Sequence, residues 1–320
     1  MAYKFGGSPY RYTFSTEYHR PYVDTEGVLT QEFRTYEEKR IERCERIIDE
    51  YSVEKNDIFV AEEDKARKYI ESLGFSADAP VFLVNDDPDD LLQIRTEVPS
   101  CHAWVESDVR SVFVRQSRLL ETDMYTNPAT IGRLLVHEFA HATHHPDRIH
   151  MHFDAPESEV LSADPRIMMR NVFTVMKGDR YEGFFYEEGF ADYIAGRYYR
   201  SLRGDERAIG ITSEDIPKEG LPEHFRQVDP DKIPGPDGYA MELIAYELER
   251  RNIMDADTFV AMLIETRRED TKIGALRAFA QAVNVLEPGL YRYLQALRFG
   301  NRQDWIDGCN RVRQIVLKNL

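Results

Sequence analysis

The sequence predicts an α+β fold, with a small mixed sheet in an N-terminal lobe and a mainly helical C-terminal lobe. Two observations predict it. Apolar spacing changes from helical to strand-like at Pro80–Val84 and returns to helical after Asn127, and almost everything from Tyr239 onward reads as helix. The length, 320 residues, exceeds that of one typical compact domain, so two lobes are expected, 1–180 and 181–320.

Taken in order, Tyr36 to Ser52 has an amphipathic helical pattern with Ile41, Cys44, Ile47 and Ile48 on one stripe. A second helix is expected from Glu62 to Leu73, stopped by Gly74. Pro80–Val84, Ala103–Glu106 and Val109–Val114 read as strands, the last two joined through Ser107-Asp108. Asn127-Pro128 supplies an N-cap and a first-turn proline for a helix with apolar positions Ile131, Leu134, Leu135 and Phe139, ending by Pro146. Tyr181 to Leu202 again has helical spacing, with Phe184, Phe185, Ala191, Ala195 and Tyr199 available for a core face. Five prolines between about 205 and 237 predict a long surface loop or lid, after which helices begin near Tyr239, Asp257, Ile273, Pro288 and Gln303.

The formal net charge of −16 argues against a general grip on nucleic acid or an anionic membrane, since both are held by excess Lys and Arg. No stretch of 18 apolar residues is present and the N-terminal residues lack the pattern of a secretory signal. The three cysteines, Cys44, Cys101 and Cys309, are odd in number and far apart, which suits free thiols. A cytoplasmic location is the expectation from these features.

The chemistry concentrates where the histidines do, for six of the nine fall between residues 137 and 152. His137 and His141 stand four apart in the expected helix, which puts both imidazoles on one face, about 6 Å apart at Cβ, where one tetrahedral Zn²⁺ can meet both. Glu138 would sit beside the metal without ligating it, placed to take a proton from a zinc-bound water. A catalytic zinc needs a third protein ligand. Glu188 is one candidate, from the run Glu187-Glu188-Gly189-Phe190-Ala191-Asp192; Asp147, six residues after His141, is the other. Asp192, four residues beyond Glu188, would be able to accept the second N–H of a ligating histidine. His144, His145, His150 and His152 read as surface residues, although a second metal would also find ligands among them.

His137-Glu138-Phe139-Ala140-His141 followed by Glu188-Gly189-Phe190-Ala191-Asp192 resembles the gluzincin metallopeptidases, which include thermolysin and the zinc aminopeptidases. The resemblance is one of motifs and of element order over about residues 80–250. It implies a zincin-like fold, zinc held by His137, His141 and Glu188, Asp192 accepting a hydrogen bond from a ligating histidine, and a tyrosine on a later helix that hydrogen-bonds the oxyanion. Tyr239 is the candidate for that tyrosine, with His224 as the alternative. The aminopeptidase run GxMxN is missing before residue 137. The expected function is therefore zinc-dependent hydrolysis of a peptide or protein substrate. Hydrolysis of another amide or ester, or a non-catalytic binding role on the same fold, are the alternatives.

Overall fold

The computed structural model describes residues 42–85, 102–106, 111–143, 168–169, 173, 175–177, 180–202, 235–268, 271–298 and 301–318. Among them the fold is mixed α+β and mostly helical, with two small three-stranded sheets. The chain divides into two compact units, Met1–His150 and Met151–Leu320. None of the helices in the described residues is long and apolar enough to cross a membrane.

In the first unit, helix α1 covers residues 42–51. Its buried stripe, Cys44, Ile47 and Ile48, packs on Val84, Trp104 and Phe113. Helix α2, Asp57–Ser72, begins earlier than its apolar pattern suggests, because Asn56 caps it by accepting the Phe59 N–H at 2.8 Å. The chain leaves it through Gly74 at φ 83°, the left-handed conformation that glycine adopts without a Cβ clash.

Strands β1 (Val81–Val84), β2 (Ala103–Glu106) and β3 (Ser111–Arg115) form a mixed sheet of order β1-β3-β2, with β1 parallel and β2 antiparallel to β3. Phe113 stacks between Phe82 and Trp104, at centroid distances of 5.4 and 5.2 Å. Strand alternation leaves Val112 and Val114 for the opposite face, and all three side chains are buried. The expected Ser107-Asp108 junction lies outside the described residues.

A short helix α3, Gln116–Glu121, and a single 3-10 turn precede helix α4, Pro128–Ala142. Pro128 occupies the first turn as expected, but the Asn127 side chain makes no capping hydrogen bond; its backbone carbonyl takes the Thr130 N–H instead. The backbone at Asn127, φ −128° and ψ 78°, departs from the extended conformation of a capping residue. Helix α4 packs against α2 and against β2 and β3.

The second unit opens with strands β4 (Met168–Met169), β5 (Val175–Lys177) and β6 (Arg180–Glu182), an antiparallel sheet that the sequence pattern did not predict. Tyr181 was expected in a helix and is in β6. Gly183, at φ 89°, separates the two elements, and its N–H donates to the Gln295 carbonyl at 2.6 Å. Helix α5 therefore starts at Phe184 and runs to Ser201.

Four of the five later helices start within two residues of expectation: α7 (Ala256–Glu265), α8 (Lys272–Leu286), α9 (Leu290–Gln295) and α10 (Arg302–Lys318). Helix α6 (Pro236–Arg250) starts earlier than Tyr239, because Pro236 takes its first turn rather than closing the loop. Helix α6 packs against both α5 and α10. The remainder of the proline-rich segment, with His224, lies outside the described residues.

Candidate metal centre

Helix α4 carries its histidines, His137 and His141, on the stripe that is not fully buried, together with Thr130, the exposed Arg133 and Leu134. On the other side Ile131, Leu135, Val136, Phe139 and Ala140 are 1% exposed or less. An amphipathic helix is oriented by this contrast, so the imidazoles are aimed by the apolar residues between them. Phe139, inside the motif, is held from behind by the Arg67 guanidinium, 4.7 Å from the ring centroid. Arg67 is in turn fixed by a two-nitrogen contact with Glu63, at 3.0 and 2.6 Å, and by the Ala77 carbonyl.

The two imidazoles meet with Nε2 to Nε2 at 3.1 Å and their rings nearly perpendicular, at 77°. Two nitrogens bound to one tetrahedral zinc at about 2.0–2.1 Å stand about 3.3 Å apart, so this pair fits a shared metal ion. Glu138, next in sequence, is only 6% exposed.

Helix α5 has its own half-buried stripe, Phe184, Glu188, Asp192, Gly196 and Tyr199. Phe184 and Tyr199, expected in the core, thus share an edge with the carboxylates. Glu188 has the chemistry of a zinc ligand and lies on the accessible side, whereas Glu187 is 1% exposed. The two adjacent glutamates, identical as residue types, occupy opposite environments.

Asp192 lies against the start of α6. A Cβ at Gly238 would fall 2.5 Å from the Asp192 Cβ, and one at Gly235 would clash with its Oδ2. Gly189 makes a similar approach, where a Cβ would meet Met241 Cγ at 2.8 Å and the Asp237 carbonyl oxygen at 3.1 Å. Glycine in Glu188-Gly189-Phe190 and in Gly238-Tyr239 is therefore required by helix packing.

Tyr239 lies in the first turn of α6, with 8% of its surface exposed. Burial raises its hydroxyl pKa well above the ordinary phenol value, Cys309 adds to the effect, and Arg313 opposes it. It is accordingly a protonated hydrogen-bond donor at neutral pH. The Cys309 thiol is pushed up to about 12 by burial and by Asp237, so it is a protonated, inert core residue.

The structure thus brings His137 and His141 together, and sets Glu188 and Asp192 on one stripe of α5. Asp147, the competing third ligand, lies outside the described residues, as do His144, His145, His150 and His152. Sequence reasoning missed the partner of Glu187, which is Arg267, eighty positions away; no local pattern announces it. Comparisons with protein-family models, curated proteins and solved structures yield no match to this chain.

Proposed function

We propose that the chain is a zinc-dependent metallopeptidase of the gluzincin kind, with a zincin-like fold and a peptide or protein substrate. One observation carries the reading: the Nε2 atoms of His137 and His141 meet at 3.1 Å, the spacing of two ligands on one metal ion, with Glu138 next in sequence. Glu188, on the half-buried stripe of α5, is the proposed third ligand. Two imidazoles and one carboxylate are a donor set suited to catalytic zinc, which keeps a further position open. Zinc, when bound there, would polarise a scissile carbonyl and make a water more acidic.

The chain's own residues supply the rest. Glu138 accepts the water proton and passes it to the leaving amine, acting first as base and then as acid. Tyr239, protonated, is the proposed donor to the developing oxyanion. Asp192 is the proposed orienting partner of a ligand.

The test joins elemental analysis to turnover of a peptide library. Wild type and Glu138→Gln should both hold stoichiometric zinc, and Glu188→Ala should lose it. Glu138→Gln should slow peptide hydrolysis about 10²–10⁴-fold. An undiminished rate in that variant, or no zinc in wild type under zinc-replete conditions, would overturn the proposal. Small amides or esters turned over in place of peptides would move the substrate class.

A further inference from the structure

We infer that the buried ion pair between Glu187 and Arg267 is a positioning device that sets the rotation of α5, and so decides which of two adjacent glutamates is presented as a metal ligand. The inference rests on the metal reading above and deepens it.

Arg267 Nη1 donates to Glu187 Oε1 at 2.9 Å, and the two side chains are 0% and 1% exposed. The guanidinium lies 4.1 Å from the Phe190 ring centroid and 5.5 Å from that of Phe173, so aromatic faces hold it as well as charge. Its backbone is anchored just past α7: the Arg267 N–H donates to the Ile264 carbonyl at 2.9 Å. Beside it the buried Thr266 hydroxyl donates to Leu263.

Such a pair is a poor device for stability. Desolvating two charges offsets most of their attraction, and replacing a buried pair with apolar groups is often neutral or stabilising. Here the cost is higher still, because Arg267 Nε and Nη2 are buried with no hydrogen-bond partner among the described residues. The pair makes sense as a selector.

Helix α5 needs one. Phe185, Tyr186, Phe190, Ala191, Tyr193, Ile194 and Ala195 are all 1% exposed or less and surround most of its circumference. Apolar burial therefore discriminates weakly between one rotation and its neighbour. Glu187 and Glu188 are the same residue type about 100° apart, so a rotation by one position would exchange them. The fixed positive charge of Arg267 favours the rotation that turns Glu187 inward, and Glu188 then falls on the half-buried stripe with Asp192.

The test measures zinc affinity by competition with a chromophoric chelator, alongside the melting temperature of the metal-free full-length chain. Arg267→Met strands the Glu187 carboxylate and is expected to fold poorly, so Arg267→Gln, which removes the charge but keeps a polar partner and both glutamates, is compared with Arg267→Lys, which keeps the charge. The glutamine variant should bind zinc about 10–100-fold more weakly, the penalty typical of losing a residue that orients a ligand, and the lysine variant should retain affinity. The double variant Glu187→Leu/Arg267→Met is the control: a leucine at 187 turns inward by burial, so it should keep near wild-type affinity and melting temperature. Equal affinities in the Lys and Gln variants, or a weakened double variant with an unchanged melting temperature, would overturn the positioning role and leave the metal reading standing. A wild type that binds no zinc would overturn both.

Discussion

Helices α4 and α5 each bear proposed zinc ligands on a half-buried stripe, yet they are oriented by different physics. On α4 the histidines stand opposite a continuous apolar surface, Ile131, Leu135, Val136 and Phe139, each 1% exposed or less. Hydrophobic burial is the main term that fixes its rotation. On α5 apolar residues occupy nearly every side, and orientation comes from particular contacts: the left-handed turn at Gly183, the Glu187–Arg267 pair, and the close approaches of Gly189 and of Asp192 with Gly238. The first kind of helix tolerates change at any one contact and needs its apolar volume; the second has volume to spare and depends on a few fitted points.

The comparison predicts opposite sensitivities. Removing volume should hurt α4 most. Leu135→Ala, at a fully buried position, should cost about 2–5 kcal/mol, read as a lowered urea midpoint with unchanged m-value. A cost below that of an exposed substitution would show that α4 is oriented by something other than its apolar face.

Adding volume should hurt α5. Gly189→Ala places a methyl 2.8 Å from Met241 Cγ and 3.1 Å from the Asp237 carbonyl oxygen. The methionine side chain has freedom to move; the carbonyl, in the first turn of α6, does not. The expected cost is about 1–3 kcal/mol in the same denaturation experiment, since overpacking pushes backbone apart. An unchanged midpoint would mean that α5 and α6 separate freely.

The same division explains what the sequence made legible. The α4 helix, its proline start and the histidine face follow from periodic spacing, which is a local property of the chain. The three strands of the first sheet were readable for the same reason, Val112, Phe113 and Val114 being a short apolar run between breaks. Glu188 and Asp192 were readable as i, i+4 neighbours. What could not be read is non-local. Arg267 lies in no motif and meets Glu187 only after folding. Strand β6 hides in a run whose aromatic spacing suits a helix, because the left-handed turn at Gly183 is a tertiary decision supported by the Gln295 carbonyl. The glycines at 189 and 238 were visible in the sequence, but the side chains they admit belong to other helices.

Gly274 sharpens the contrast, because the same substitution there should reverse sign. It lies in the first turns of α8, exposed, and a Cβ at that position would meet nothing within 4 Å. Alanine adds no clash, and it removes backbone freedom from the unfolded chain that glycine must surrender on folding. Gly274→Ala should therefore raise stability by about 0.5–1 kcal/mol, seen as a higher urea midpoint. Set beside Gly189→Ala, it separates the cost of a glycine in a helix from the use of one: identical propensity gains apply at both positions, so the difference between the two midpoints measures the close approach of α5 to α6 alone. If both substitutions stabilise, Gly189 is not a packing residue, and the fitted-contact account of α5 then has only the Glu187–Arg267 pair and the Asp192 contact to stand on.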